Sequence, residues 1–223
     1  MMAAPKAVRG ERGQVLTGVR LRVLAPLWLV PVVLAAACAS GPSAPDEAAY
    51  ADELATARAN KDQQFRQADD SPVPLDKRDA LLPLRYYPID SNYAVPAALK
   101  LADERPVFEM PTSTGTLRRM QLVGTLEFTL QGEQRSLGAF VPEGTQQIAS
   151  LFVPFADLTT GTDTYSAGRY LDIEPTTTGY YTIDFNRAYN PYCAYNAAYE
   201  CPFPPPTNRL KVAIRAGEQA PGA

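Results

Sequence analysis

The hydrophobic pattern changes once along this chain, from helical spacing to alternation, and that change constrains the fold more than any other feature. Residues 46–68 contain no Pro or Gly. Apolar side chains recur there at helical spacing, with Lys61 on the same stripe, at Tyr50, Leu54, Ala57, Phe65 and Ala68. From residue 81 onward, apolar residues alternate with polar ones, which is typical of strands. The sequence therefore predicts one N-terminal helix followed by a β-rich domain.

The longest alternating segment predicts a strand whose apolar face is formed by Met120, Leu122, Gly124, Leu126, Phe128 and Leu130. A turn at residues 131–133 then leads into a second alternating segment, which predicts a hairpin. Further strands are predicted over 93–101, 148–155, 168–173, 180–185 and 210–214. The predicted fold class is mainly β (α+β): an antiparallel β-sandwich or a partly open barrel, with one N-terminal helix packed on it.

The first 37 residues have the three parts of a secretory signal. Five basic residues precede an apolar run over 23–34, and small residues lead to Cys38. The apolar run has 12 residues, whereas a membrane-spanning helix needs about 20. The segment resembles a lipobox, so we expect lipid on Cys38 and anchoring in a membrane. The alternative is an ordinary cleaved signal with an unmodified Cys38.

These patterns predict four regions along the chain. Residues 1–37 are the lipoprotein signal peptide, and residues 38–47, rich in small and polar residues, form a flexible tether. Residues 48–218 form a single β-rich domain, and residues 219–223 are a disordered tail. Because Ala39 rather than Asp follows Cys38, we expect delivery to the outer membrane, facing the periplasm, in a cell with two membranes.

Charge and composition exclude several classes of function. Removal of residues 1–37 leaves 16 basic and 23 acidic residues, a net charge of −7, which disfavours nucleic acid as a partner. The chain has no histidine, which rules out Ser-His-Asp triads, Cys-His dyads and histidine-ligated metals. We expect no cofactor and no metal.

With these segments placed, the chain resembles the domain-of-unknown-function 1684 family over roughly residues 58–218. The resemblance is carried by KDQQFRQADDSPVP (61–74), LRYYPID (84–90), MPTSTG (110–115), LFVPFADLTTGTDTYSAGRYLD (151–172), DFNRAYNPYCAYN (184–196) and CPFPPPTNRLKVAIRAGE (201–218). The family usually has glycines where this chain has Ser166 and Ala167. The resemblance implies no established activity.

Cys193 and Cys201 remain as a pair once Cys38 is assigned to lipid. Disulfides persist outside the cytosol, so an exported chain with an even pair predicts a bridge. A reactive thiol pair and a metal site are the alternatives. Family members without export signals also have the two cysteines, which implies that the pair stays reduced in those proteins.

The densest group of candidate binding residues lies within 157–208. Asp157 and Asp163 flank a loop suited to a cation or, alternatively, to a turn held by its own side chains. Arg169 is suited to clamp a carboxylate or phosphate, or to form a buried ion pair with one of the acids. Tyr165 and Asn208 belong to the same stretch.

A second set of candidates follows the strand predicted to end at residue 185. Asp184, Asn186 and Asn190 form either a site at a strand end or the scaffold of a loop. Four tyrosines follow, suited either to stack against a sugar or partner protein or to cover an irregular loop: Tyr189, Tyr192, Tyr195 and Tyr199.

Two functions fit this sequence. The first is a lipid-anchored, non-catalytic protein of the cell envelope that binds a small ligand or an envelope protein through the 157–208 surface. The alternative is a hydrolase or transferase that uses a carboxylate, a tyrosine or Cys193, with Arg169 as electrophile. The absence of histidine favours the first.

Overall fold

The computed structural model describes residues 46–222 and begins with the predicted helix. Helix α1 spans Glu47–Gln67, and the Asp46 side chain caps it by accepting a hydrogen bond from the Ala48 amide. Leu54 and Phe65 are its buried apolar residues. A short helix α2, Arg78–Leu81, follows, and single 3₁₀ turns lie at Leu75–Lys77, Ser91–Tyr93, Phe185–Arg187, Tyr192–Ala194 and Pro206–Asn208. The predicted lipidation site at Cys38, the predicted signal peptide and nearly all of the predicted tether lie outside the described residues.

Within residues 46–222, seven strands form one antiparallel sheet: β1 (Ala94–Leu101), β2 (Val107–Pro111), β3 (Leu117–Leu130), β4 (Glu133–Pro142), β5 (Leu151–Phe155), β6 (Arg169–Ile173) and β7 (Tyr180–Asp184). Their order is β6-β5-β4-β3-β1-β7. β2 pairs with the first part of β3, and β1 pairs with its second part. The sheet curls into a half-barrel, which confirms the mainly β class with an N-terminal helix.

A bulge in β3 changes which face of the sheet each side chain occupies. The β3–β4 register shifts between Leu122 and Gly124. Leu126 therefore lies opposite Leu137 in the main core, whereas Leu122 lies opposite Phe140 in a separate cluster on the other face. The single apolar face predicted for this strand is wrong, because the extra residue, Val123, inverts the alternation.

The N-terminal helix docks mainly through polar contacts. Arg58 donates hydrogen bonds to the carbonyls of Tyr87 and Asn186, and the Asp62 carboxylate accepts one from the Leu84 amide. Lys61 forms an ion pair at 2.5 Å with Glu218, which is almost fully buried. The face of α1 that packs on the domain therefore has few apolar residues in the sequence, because polar side chains make most of its contacts.

Three segments differ from their prediction. β2 has no strong alternation in sequence, and it forms because β3 extends beyond β1 and offers a free edge. Residues 210–214 keep buried Leu210 and Ile214, but their backbone makes isolated hydrogen bonds to the 156–158 loop instead of a ladder. The predicted disordered tail is wrong at Gln219 and Ala220, whose amides bond to the carbonyls of Arg85 and Asp163.

Candidate functional site

An aromatic cleft of about 580 Å³ opens on the sheet face opposite the main core. Five rings line this aromatic cleft: Phe152, Tyr170, Tyr189, Tyr192 and Tyr199. Four charged side chains stand around it: Lys61, Arg118, Asp172 and Glu200. Its size falls within the range of small-molecule sites, about 300–1,000 Å³. An apolar, aromatic lining with a few polar groups is the usual composition of such sites.

The floor of the cleft exists because of the bulge in β3. Met120 precedes the bulge and is therefore turned away from the main core, where it lies beside Phe152 of β5 and Tyr170 of β6. The Phe152 and Tyr170 rings meet edge to face with centroids 4.7 Å apart. Without the extra residue at Val123, Met120 would lie on the core face, and the floor would lose this side chain.

The irregular segment from residue 189 to residue 202 forms the walls. A bridge joins Tyr189 to Tyr170 through two backbone hydrogen bonds, which fixes the segment to the free edge of β6. Tyr192 and Tyr199 pack edge to face at 5.3 Å. The predicted tyrosine platform is thus divided: Tyr189, Tyr192 and Tyr199 line the cleft, whereas Tyr195 is buried and donates a hydrogen bond to Glu218.

The buried Tyr170 and the half-buried Tyr189 of the cleft are protonated phenols at neutral pH. Burial raises the pKa of Tyr170 far above its ordinary value, and burial together with the Asp172 carboxylate does the same for Tyr189. The Tyr189 hydroxyl donates to Asp172 at 2.6 Å, and the Tyr170 hydroxyl donates to the Pro202 carbonyl at 2.6 Å. These groups donate hydrogen bonds and are poor nucleophiles.

The two cysteines lie side by side next to the cleft and are free thiols in the structure. The predicted disulfide is therefore not formed here. The Cys193 amide donates to the Cys201 sulfur at 3.1 Å, and the Tyr165 hydroxyl lies 3.9 Å from the Cys193 sulfur. Hydrogen bonding from Cys201 lowers the pKa of Cys193 to about 6, whereas sharing that bond raises the pKa of Cys201. Cys201 lines the cleft.

Arg169 and Asp157 form a buried ion pair. Of the two roles considered for Arg169, a clamp for a ligand and a buried ion pair, the structure has the second. Both side chains are fully buried, 2.9 Å apart. Arg169 also donates hydrogen bonds to the carbonyls of Ile214, Ala216 and Glu218. The Asp157 carboxylate accepts bonds from the Thr159 amide and hydroxyl, so the 157–163 loop is a turn held by its own side chains. With its side chain fully buried among these partners, Arg169 has a structural position rather than that of an electrophile facing a ligand.

The remaining candidates also serve the scaffold. Asn208 bonds both to Gly138 of β4 and to Pro154 of β5. The backbone amide of Asn190 donates a hydrogen bond to the Glu218 carboxylate, and the exposed Asp163 carboxylate accepts one from the Tyr87 hydroxyl. Asp184 accepts bonds from the Tyr50 hydroxyl and from Asn186, which attaches α1 to the end of β7.

The structure distributes the candidates of 157–208 between the cleft and the scaffold of the domain. Arg169 pairs with Asp157, Asp184 accepts a hydrogen bond from Tyr50, and Cys193 lies beside Tyr165, so these three candidates contact different partners. Six aromatic or charged residues of the cleft escaped sequence analysis as site residues: Lys61, Arg118, Phe152, Tyr170, Asp172 and Glu200. They come from five separate segments, and the glycine at position 124 inside the long strand is the local sign of a second face.

Between residues 46 and 222, no helix is both long enough and apolar enough to cross a membrane. In the same part of the chain, no cluster of three or more acidic or cysteine side chains is arranged to hold a metal ion.

Comparisons with known proteins place the fold but name no activity. The family model described as "Protein of unknown function (DUF1684)" matches residues 80–219. The chain is 38% identical to an uncharacterised protein of Haloarcula marismortui whose solution NMR structure is known, with a TM-score of 0.62. That match covers 78% of this chain and 96% of the other. No curated protein matches.

Proposed function

Because this chain belongs to the DUF1684 family, whose function is unknown, we propose its function from its own structure: it binds a small ligand, without catalysis, in the aromatic cleft. The observation that carries the proposal is the cleft itself, which has a volume of about 580 Å³ and is lined by five aromatic rings. Aromatic side chains supply large contact area for a ligand, and their few polar groups orient it.

The chemistry of the lining supports binding rather than turnover. The phenols of Tyr170 and Tyr189 hold their protons, and the Arg118 and Glu200 side chains form an ion pair with each other at 2.9 Å. The low-pKa thiol, Cys193, is buried beside the cleft and is not among the residues that line it. A nucleophile and its base would have to lie within hydrogen-bond reach of a bound substrate.

Ligand binding is tested on the full chain by thermal unfolding with a compound panel of neutral saccharides, quaternary amines, sugar phosphates and amino acids. A ligand present at 100 times its dissociation constant stabilises the folded state by about 2.7 kcal/mol. For a domain of this size, that corresponds to a rise in Tm of about 5–10 °C. Tyr192→Ala should abolish the rise, and Tyr180→Ala, a change at an exposed tyrosine outside the cleft, should keep it.

If no compound raises the Tm of the wild-type chain, or if the rise survives in the Tyr192→Ala variant, the aromatic cleft is not the ligand site.

We further propose that the protein is exported and held in the cell envelope by lipid on Cys38. The support is the sequence alone, with its basic region, short apolar run and small residues before the cysteine. Two acyl chains give stable attachment, at about 0.8 kcal/mol for each buried methylene group. The net charge of −7 after residue 37 offers no basic surface for attachment to anionic lipids.

Growth with radiolabelled palmitate should label the wild-type chain, and Cys38→Ser should remove both the label and the membrane-bound fraction. Cys193→Ser is the matched control and should keep both. An unlabelled wild-type chain, or a Cys38→Ser variant that stays in the membrane fraction, would contradict the lipid anchor.

A further inference from the structure

The charges around the aromatic cleft are paired, with one exception. Arg118 is paired with Glu200 at 2.9 Å, and Lys61 is paired with Glu218 at 2.5 Å. Asp172 has no cationic partner within the described residues and accepts only the Tyr189 hydroxyl. The cleft therefore presents one uncompensated negative charge, which repels anionic ligands such as phosphates and carboxylates.

The face of Tyr189, one of the five cleft rings, is unfavourable for a further cation. The Lys61 ammonium group lies 5.2 Å from the ring centroid of Tyr189, and at the same distance from that of Phe65. A ring face can attract a cation only where no other cation already occupies it, because the two positive charges repel each other. A quaternary amine placed against Tyr189 would meet this resident charge, so a neutral ligand is favoured.

The free polar groups of the cleft are of the kind that bind hydroxyl groups. The second carboxylate oxygen of Asp172 is without a partner among residues 46–222, as are the hydroxyls of Tyr192 and Tyr199. A carboxylate oxygen accepts hydrogen bonds, and a phenol both donates and accepts them. A ligand rich in hydroxyl groups satisfies all three, and a purely apolar ligand satisfies none.

The rings supply the complementary apolar surface. Phe152, Tyr170 and Tyr189 form one edge-to-face series, and Tyr192 and Tyr199 form a second. An edge-to-face contact places the edge of one ring on one face of the other and leaves the opposite face without a partner ring. A pyranose ring has an apolar C–H face that stacks on such surfaces, with hydroxyls at its rim.

We infer that the ligand of the aromatic cleft is a neutral saccharide, with its C–H face on the tyrosine wall and a hydroxyl group donating to Asp172. This inference rests on the proposed ligand-binding function and names the ligand class for the same cleft.

The test is calorimetric titration of the full chain, purified in detergent, with neutral trisaccharides of glucose, galactose, mannose and N-acetylglucosamine. Choline and glucose 6-phosphate are titrated in parallel. At least one trisaccharide should bind, and neither charged compound should. Asp172→Asn should weaken the trisaccharide about 10-fold or more, because a hydrogen bond to a charged group becomes one to a neutral group. Tyr180→Ala, outside the cleft, should leave its affinity unchanged.

The outcomes separate the two proposals. Binding of choline or glucose 6-phosphate without any trisaccharide overturns the saccharide class and leaves the cleft as a ligand site. Trisaccharide binding that is unchanged in both Asp172→Asn and Tyr192→Ala also overturns the inference, because the saccharide then lies elsewhere. If no member of the wider compound panel binds either, the proposed function fails as well. Asp172 is exposed, and an unaltered melting curve of Asp172→Asn checks that the variant is folded.

Discussion

Arg169 shows how one residue can organise several segments of this protein. Its guanidinium group pairs with Asp157 and donates to three carbonyls of residues 214–218, all within the interior. An Arg can satisfy so many acceptors because its five N–H groups lie in a rigid plane. A charged side chain in such a position is held by its partners, and the loss of one of them leaves a buried charge uncompensated.

Asp157→Asn should therefore lower the free energy of unfolding by about 3–5 kcal/mol, the usual effect of removing one member of a buried pair. Urea denaturation followed by circular dichroism measures it. Glu143→Gln is the matched control, because Glu143 pairs with Arg119 at the exposed surface, and it should change the urea midpoint little. Equal losses in the two variants would show that Arg169 does not depend on the Asp157 charge.

The cysteine pair makes a prediction about pH. Since Cys201 lowers the pKa of Cys193 to about 6, the thiolate fraction of Cys193 rises with pH and is half complete near pH 6. The rate of iodoacetamide labelling of Cys193, read by peptide mass spectrometry, should follow that curve, while Cys201 stays unlabelled.

In Cys201→Ala the donor is lost, and the midpoint should move towards the ordinary thiol pKa of about 8.5. A Cys193 midpoint near pH 8.5 in the wild-type chain would contradict the hydrogen-bonded pair.

At the scale of elements, helix α1 is attached by side chains that a hydrophobic pattern does not reveal. Lys61 is about one-quarter exposed and pairs with Glu218, which also accepts hydrogen bonds from the Tyr195 hydroxyl and the Asn190 amide. The helix lies before the region matched by the family model, and Glu218 lies within it. The ion pair therefore joins the helix to the family domain.

Lys61→Met should destabilise the folded protein by about 2 kcal/mol, less than a fully buried pair, because Glu218 keeps its other hydrogen bonds. Lys100→Met, at an exposed position on β1, should have little effect and serves as the control. Both are measured by chemical denaturation at pH 7. A Lys61→Met variant as stable as the wild type would show that the helix is held without this pair.

Sequence reasoning succeeded where the signal is local and failed where it depends on a partner. The helix over 47–67 is predictable because no Pro or Gly interrupts it, and β3 and β4 are predictable from their alternation. The bulge is harder to predict from the sequence, because Val123 is as apolar as its neighbours. Gly124 is its one local sign: a Cβ there would lie 2.4 Å from the Lys100 carbonyl oxygen. The cleft joins distant segments, so no spacing in the sequence reports it.

For the molecule as a whole, the C-terminal residues 214–220 act as an integral part of the domain. They supply three carbonyl partners to Arg169, the buried Glu218 carboxylate, and backbone bonds to Arg85 and Asp163. Their sequence contains Gly217 and no strand pattern, which accounts for the incorrect prediction of a tail directly after residue 218.

A chain that ends at Ala213 should fail to fold, because Arg169 loses its carbonyl partners and Lys61 loses Glu218. A chain that ends at Ala220 keeps every one of these contacts and should unfold like the wild type. Soluble yield and cooperative thermal unfolding distinguish the two. A soluble, cooperatively unfolding chain that ends at Ala213 would contradict the structural role of this segment.

The bulge at Val123 has a consequence for how the protein can diversify. On one side of it, Met120 and Leu122 contribute to the cleft and the cluster beneath it, and on the other side Leu126 and Phe128 contribute to the main core. Substitutions before the bulge change the shape of the cleft, whereas substitutions after it change the stability of the fold. Two members of such a family can therefore differ in ligand preference along a single strand and keep the same folded framework.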